Sequence, residues 1–206
     1  MKSIGIIGLG YVGLPLAHTF LQAGHRVLGF DIDPQKITAL AAGRNYLQHL
    51  GEDYVQSLND TGRFEATGDF GRLGEPDAIL ICVPTPLGDH LEPNLSYVEQ
   101  TTDAIAATLR KGQLVVLEST TYPGTTREVV LPRLQRHGGE CGADFFVAYS
   151  PEREDPGRAH QEGASIPKLV GGVDEASQKE ATALYETAFR QVVAVGKAEV
   201  AEAAKL

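Results

Sequence analysis

The sequence has 206 residues, 42% of them hydrophobic and 22% charged, which fits one large globular domain or one domain with an extension. The net charge of −9 argues against nucleic acid or an anionic membrane as the main partner, because both are negatively charged. No apolar run approaches the roughly 18 residues of a membrane span. Two cysteines give no disulfide framework, so we expect a cytoplasmic protein.

The most informative segment is the N-terminus. The apolar residues 4–7 predict a buried strand, and a glycine-rich turn and a helical pattern follow directly. In such a turn Gly8 allows the bend, Gly10 lets the backbone approach a pyrophosphate, and Gly13 lets the helix pack closely on the strand. The backbone N–H groups of the helix start can then face phosphates. Cofactor contacts are therefore expected at Gly8, Gly10, Tyr11, Val12 and Gly13.

A second predicted strand, residues 27–30, ends at Asp31, which lies 18 residues after Gly13. An acidic residue at about this spacing accepts hydrogen bonds from the adenosine ribose of a dinucleotide. A charge-assisted bond of this kind contributes roughly 1.5–3 kcal/mol, whereas a 2′-phosphate would meet a like charge. The pattern thus favours NAD over NADP. Lys36 either reaches the ribose or a phosphate, or is an ordinary solvated lysine.

The following elements alternate between helix and strand. Asp33 and Pro34 predict the start of a helix that runs to about Ala41. Residues 43–62 read as a loop and a short helix, residues 77–83 as a buried strand, and residues 95–109 as a helix. Residues 113–117 form another predicted strand, and Thr125 with Glu128 resembles a capping box before a helix that Pro132 should kink or shorten.

The C-terminal third predicts a strand at residues 145–148 and two short strands at 169–172 and 192–195, which flank a helix capped by Asp174. The last ten residues predict the start of a new helix. The whole pattern predicts an α/β protein with a Rossmann-like, doubly wound, mainly parallel sheet and helices on both faces.

Four motifs follow successive predicted strands, at the sheet edge where open α/β sheets bind ligands. They are residues 8–15, 82–86, 118–126 and 150–157. Together they closely resemble the N-terminal part of the UDP-glucose/GDP-mannose dehydrogenase family, over essentially the whole chain. Residues 150–157 look most like the branch that acts on UDP-N-acetylglucosamine, since UDP-glucose enzymes usually carry Phe in place of Arg153.

The resemblance implies an NAD-dependent, four-electron oxidation of a sugar C6 hydroxymethyl group to a carboxylate. It assigns catalytic positions to Thr120, Glu152 and Lys205, and substrate contacts to Glu152, Arg153 and Lys205. A carboxylate can orient water or move a proton, and an ammonium can stabilise an alkoxide. Further cofactor contacts are expected in the loops after two later strands, at Val83, Pro84, Thr85, Ser119 and Thr120. Thr85, Ser119 and Thr120 also have plainer interpretations, as a rigid turn and as strand-end caps.

Family members continue into a central helix, through which they form homodimers or larger oligomers, and into a second domain that binds the nucleotide and carries a nucleophilic cysteine. We therefore divide the chain into an NAD-binding domain at 1–196 and the start of the linker helix at 197–206, and expect a truncated chain that is inactive alone. Cys82 reads as a packing residue, and Cys141 lacks the expected sequence context of the nucleophile. The six histidines show no metal-ligand spacing, so no metal site is expected.

Several alternatives remain open for the function. The substrate could be UDP-glucose, UDP-N-acetylgalactosamine, UDP-N-acetylmannosamine or GDP-mannose. A fold of this kind could also serve as a non-catalytic NAD-binding module. The combination of Thr120, Glu152 and Lys205 favours an enzyme, because a pure binding module needs none of them.

Overall fold

The computed structural model describes residues 1–88, 93–152 and 167–205. Within these residues, eight strands form one sheet in the order β3-β2-β1-β4-β5-β6-β7-β8. The pairs from β3 to β6 are parallel, β7 runs antiparallel to β6, and β8 runs parallel to β7. The strands are β1 Ser3–Ile7, β2 Arg26–Phe30, β3 Phe64–Thr67, β4 Ala78–Ile81, β5 Gln113–Leu117, β6 Phe145–Tyr149, β7 Lys168–Gly172 and β8 Val192–Ala194.

Helices cover both faces of the sheet. They are α1 Gly13–Gln22, α2 Pro34–Ala41, α3 Tyr54–Asn59, α4 Ser96–Ala106, α5 Leu131–Leu134, α6 Glu175–Tyr185 and α7 Ala198–Ala203. The alternation of side chains along each buried strand creates two cores. In β4, for example, Ala78 and Leu80 pack in one core with residues of α1 and α6. Ile79 and Ile81 pack in the other core with residues of α4 and α7. The predicted doubly wound, mainly parallel sheet is confirmed.

The sequence missed one strand and misplaced several boundaries. β3 was not predicted, because it is a short edge strand whose residues are half-buried or exposed and show no apolar run. The strand predicted at 77–83 is shorter in the structure, where the Asp77 carboxylate instead accepts a hydrogen bond from the N–H of Ser3 at 2.9 Å. The boundaries of α2 and its Asp33 cap are as predicted, with Asp33 accepting from the N–H of Gln35 at 2.8 Å.

The predicted capping box at Thr125 and Glu128 is wrong. The Thr125 hydroxyl does not cap the helix and donates to the Tyr122 carbonyl at 2.9 Å. The carboxylate that accepts from the start of this helix comes from Glu202, more than seventy residues later in the chain. The helix itself begins with π-type turns over Thr126–Val130 and continues as α5, which contains Pro132. Proline cannot donate an N–H to the preceding turn, which accounts for the predicted irregularity.

Among the residues that the structure describes, no helix has the length and apolar character needed to cross a membrane.

Candidate functional site

A cavity of about 810 Å³ opens at the carboxyl ends of the parallel strands. It lies over β1 and β4, two parallel strands at which the order of the strands across the sheet reverses. This switch point is the usual ligand position in an open α/β sheet. The loops after β1, β2, β4, β5 and β6 contribute to its wall. The candidate positions that line it are Gly8, Gly10, Tyr11, Val12, Asp31, Lys36, Val83, Pro84, Thr85, Ser119, Thr120, Glu152 and Lys205. Arg153 lies outside the described residues.

The glycine-rich loop leaves no room for side chains at two of its three glycines. Gly8 has φ +92°, and a Cβ there would lie 2.6 Å from the Cys82 carbonyl oxygen. A Cβ on Gly13, which does not line the cavity, would lie 1.9 Å from the Gly8 carbonyl oxygen. A Cβ on Gly10 would meet nothing within 4 Å. Gly8 and Gly13 therefore permit the close packing of β1, β4 and α1, while the backbone at Gly10 faces open space.

Asp31 is buried at the end of β2 and is held by three donors. Its Oδ2 accepts from the N–H of Leu9 at 2.9 Å and from Lys36 Nζ at 2.9 Å, and its Oδ1 accepts from the N–H of Asp33 at 3.0 Å. Lys36 is thus an ion-pair partner of Asp31 at the cavity wall and not a freely solvated lysine. These donors fix the carboxylate, and its bond to Leu9 ties β2 to the glycine-rich loop.

Tyr46 supports the same loop from the other side. Its hydroxyl donates to the Leu9 carbonyl at 2.5 Å, and burial, followed by the charges of Asp31 and Asp33, raises the pKa of this phenol well above its usual range. The hydroxyl therefore stays protonated and remains a donor at physiological pH. Sequence reasoning missed Tyr46, because it lies in an irregular segment with no recognisable motif.

Two hydroxyl groups join the loops that follow β4 and β5. Thr85 Oγ1 donates to the Thr120 carbonyl at 2.7 Å, and Ser119 Oγ donates to the Val83 carbonyl at 2.7 Å. These bonds use the protons of both hydroxyls within the protein. Thr120 itself is exposed at the cavity wall. Both hydroxyls therefore donate to the neighbouring loop, which agrees with the plainer interpretation that Thr85 and Ser119 stabilise these loops.

Glu152 reaches the cavity from the loop after β6, above a buried ionic network. Lys168 Nζ donates to Glu152 Oε2 at 2.8 Å and to Glu118 Oε2 at 2.7 Å, while the Tyr185 hydroxyl donates to the other oxygen of Glu118. Burial alone would lower the pKa of Lys168, but the two carboxylates raise it above its usual range. Burial raises the pKa of Glu118, and Lys168 opposes that effect. Sequence reasoning missed Lys168, since a lysine at the start of a strand gives no signal of burial.

Lys205 is brought to the same place by the last helix. Its Nζ donates to the backbone carbonyl of Glu152. The helix is held by Glu202, which is fully buried and accepts from the N–H groups of Gly124 and Thr126 at 2.6 and 2.8 Å. The loop that carries Thr120 and the helix that precedes Lys205 are therefore joined through one carboxylate. Nothing in the sequence pattern indicated this role of Glu202.

The two thiols lie in different places, and burial raises the pKa of both. Cys141 does not line the cavity, and its Sγ lies 3.2 Å from Asp174 Oδ2. Burial raises the pKa of Cys141 to about 11. Cys82 is half-buried at the cavity wall, and burial, with the charge of Glu118, raises the pKa of its thiol well above its usual range. In the described ranges, no group of three or more His, Cys, Asp or Glu side chains could hold a metal ion.

The cavity fits a dinucleotide on grounds of its own chemistry. The backbone at Gly10 faces open space, and no side chain caps the start of α1. The Leu14 N–H donates to the Gly10 carbonyl and Pro15 has no N–H, so the Val12 and Gly13 N–H groups are the ones that could donate to phosphate oxygens at this helix start. Asp31 lies at the end of β2, the strand next to β1, and its carboxylate lines the same cavity. An acidic residue at this position suits the ribose hydroxyls of a dinucleotide.

Comparison with known proteins agrees with this geometry. Residues 2–189 match the model of the UDP-glucose/GDP-mannose dehydrogenase family, NAD binding domain. The chain is 36% identical to Protein CapL of Staphylococcus aureus over all of its own length and 48% of that protein. It is 34% identical to the UDP-N-acetyl-D-glucosamine 6-dehydrogenase of Pseudomonas aeruginosa, over 98% of the chain and 48% of that enzyme.

The fold is shared with solved structures of related enzymes. The UDP-D-ManNAc dehydrogenase of Pyrococcus horikoshii superimposes with a TM-score of 0.92 at 32% identity, over 98% of this chain and 49% of that one. The GDP-mannose dehydrogenase of Pseudomonas aeruginosa, solved as a ternary complex, gives a TM-score of 0.90 at 30% identity, over 100% and 48%. The chain spans about half the length of the curated relatives that it matches. It belongs to the UDP-glucose/GDP-mannose dehydrogenase family, it matches the NAD-binding domain of that family, and its cofactor is NAD.

Proposed function

We propose that this chain is the cofactor-binding half of an NAD-dependent dehydrogenase that oxidises the C6 hydroxymethyl group of a UDP-sugar to a carboxylate. The observation that carries the proposal is the shared cavity. The glycine-rich loop and Asp31 line this cavity, and so do Thr120, Glu152 and Lys205. A cofactor site and a set of groups suited to alcohol oxidation therefore open on one space.

When bound, NAD would supply the hydride acceptor, with one NAD for each of the two hydrides that leave the sugar. The residues of this chain do the remaining work. The Glu152 carboxylate orients water or accepts a proton near C6, and the Lys205 ammonium stabilises negative charge that develops on the sugar oxygen. Thr120, exposed at the cavity wall, positions the same water or substrate. The combination supports catalysis over a function as a binding module alone.

The second oxidation requires a nucleophile, and we propose that this chain does not supply it. Cys141 lies away from the cavity, and the pKa of its thiol is raised to about 11, so little thiolate forms near neutral pH. Cys82 lines the cavity, but its thiol pKa is also raised by burial. The nucleophile then belongs to the remainder of an enzyme about twice as long, which also binds the nucleotide and forms homodimers or larger oligomers.

For the sugar, we propose UDP-N-acetylglucosamine. The sequence of residues 150–157 resembles that branch of the family, and the Pseudomonas relative described above is named for that substrate. The Pyrococcus structure is named for the N-acetylmannosamine compound at a similar identity, so identity alone does not rank the two sugars.

We also propose a boundary at 196/197 between the NAD-binding domain and the start of a linker helix.

The test uses the full-length protein that contains this chain, with NAD and a panel of UDP- and GDP-sugars. We expect two NADH per UDP-N-acetylglucosamine, and loss of turnover in Glu152→Gln but not in the matched control Glu140→Gln, which is exposed and lies outside the cavity. Preference for another sugar would overturn the substrate proposal. NAD binding with no turnover of any sugar would favour a non-catalytic module.

A further inference from the structure

Lys168 is a buried lysine. Its side chain is 4% exposed, and that of Glu118 is fully buried. The rings of Tyr185 and Phe189 lie 5.4 and 5.6 Å from the Lys168 ammonium. A charge in such a place is stable only when it is paired, because burial without a partner costs far more than a surface ion pair contributes.

The single Lys168 ammonium pairs with two carboxylates. Its distances to Glu118 and Glu152 are nearly the same, 2.7 and 2.8 Å. Glu118 also accepts from a further buried donor, the Tyr185 hydroxyl. Glu152 is the carboxylate that faces the cavity, with its side chain 15% exposed. The network therefore joins a fully buried carboxylate to one that a substrate can reach.

We propose that Lys168 is a positioning residue that fixes the Glu152 carboxylate and keeps it ionised in the cavity, while Glu118 competes for the same ammonium. This inference rests on the proposed function, which gives Glu152 its role toward the sugar. Glu118 and Lys168 do not act on the substrate themselves. They determine where the Glu152 carboxylate lies and at which pH it carries a proton.

Other charged and titratable groups surround Glu152 in the described part of the chain. Lys205 donates to its backbone carbonyl, Tyr185 lies behind Glu118, and the Cys82 thiol interacts electrostatically with Glu118, Lys168 and Glu152. The Lys205 ammonium bonds the backbone of Glu152, whereas the Lys168 ammonium bonds its carboxylate. Competition between two carboxylates for Lys168 has a distinctive consequence. Removal of the cation and removal of the competing carboxylate must shift the pKa of Glu152 in opposite directions.

The experiment follows the Glu152 carboxyl carbon by NMR during a pH titration of this chain, labelled at glutamate side chains and assigned by the signal lost in Glu152→Gln. Lys168→Met should raise the pKa of Glu152 by about 1–3 pH units, because an opposite charge within hydrogen-bond distance is lost. Glu118→Gln should lower it, because a like charge is lost. Lys168→Arg should restore a value near that of the wild type.

The matched control is Lys111→Met, which removes an exposed lysine that pairs with Asp144 and should leave the pKa of Glu152 unchanged. Shifts of the same sign in Lys168→Met and Glu118→Gln, or no shift in either, would overturn the inference. If Lys168→Met does not fold, the direction of the Glu118→Gln shift decides alone. NAD titrated into the wild-type chain tests the proposed function separately, since the carboxyl titration needs no cofactor.

Discussion

Glu202 joins the last helix to the loop after β5, and its removal should be costly. Both its carboxylate oxygens are used: one accepts from the N–H of Gly124, the other from the N–H and hydroxyl of Thr126, at 2.6–2.8 Å. Hydrogen bonds to a charged group contribute about 1.5–3 kcal/mol each, and a buried donor left without a partner costs about 1–3 kcal/mol. These terms overlap, so we expect Glu202→Ala to lower the free energy of unfolding by about 3–5 kcal/mol. Glu202→Gln, which retains one acceptor, should lower it by about 1.5–3 kcal/mol.

The assay is urea unfolding of the purified chain, followed by circular dichroism. The matched control is Glu199→Gln on the same helix, whose carboxylate makes a partly exposed ion pair with Arg127. Such pairs contribute about 0–1 kcal/mol, so this variant should unfold close to the wild type. If the unfolding free energies of Glu202→Gln and Glu199→Gln differ by less than about 0.5 kcal/mol, the inference that Glu202 stabilises the helix start at Thr126 is wrong.

Three further predictions concern the cavity and the thiols. Asp31→Ser should weaken NAD binding about tenfold or more and weaken NADP binding less, as measured by calorimetry, because it removes both a ribose acceptor and a like charge. Gly13→Ala should lower the free energy of unfolding by at least about 1–3 kcal/mol, since its Cβ would lie 1.9 Å from the Gly8 carbonyl oxygen. Gly10→Ala, whose Cβ would meet nothing within 4 Å, should leave the stability nearly unchanged and weaken NAD binding. Equal stability of the two variants would contradict this prediction. In a Cys82→Ala background, alkylation of Cys141 should accelerate about tenfold per pH unit between about pH 8 and 10, because the thiolate fraction rises until pH reaches the pKa of about 11; a plateau near pH 9 would refute the raised pKa.

The regular part of the fold could be predicted because its signals are local. The apolar strand before Gly8, the turn glycines and the acidic residue at the end of β2 each follow from steric or electrostatic demands within about thirty residues. The cap of α2 by Asp33 is local in the same way. The edge strand β3 lacked such a signal, because a half-exposed strand needs no continuous apolar run.

The missed parts of the site depend on partners distant in sequence. Thr125 and Glu128 have the spacing of a capping box, but Glu202 occupies the helix start instead, and no local pattern reveals a competing acceptor. Lys168 follows the same logic: its burial depends on Glu118, fifty residues earlier, and on the rings of α6 and the segment after it. Only the folded chain brings these groups together.

The central claim is that this chain binds NAD at the cavity above β1 and β4. The most direct test is a calorimetric titration of NAD into the purified wild-type chain, with the Gly10→Ala variant titrated alongside. We expect saturable binding at one site per chain, weakened in Gly10→Ala without loss of folding. Absence of saturable binding up to about 1 mM NAD would contradict the claim that this chain binds NAD, because a dissociation constant of about 1 mM corresponds to a binding free energy of only about −4 kcal/mol.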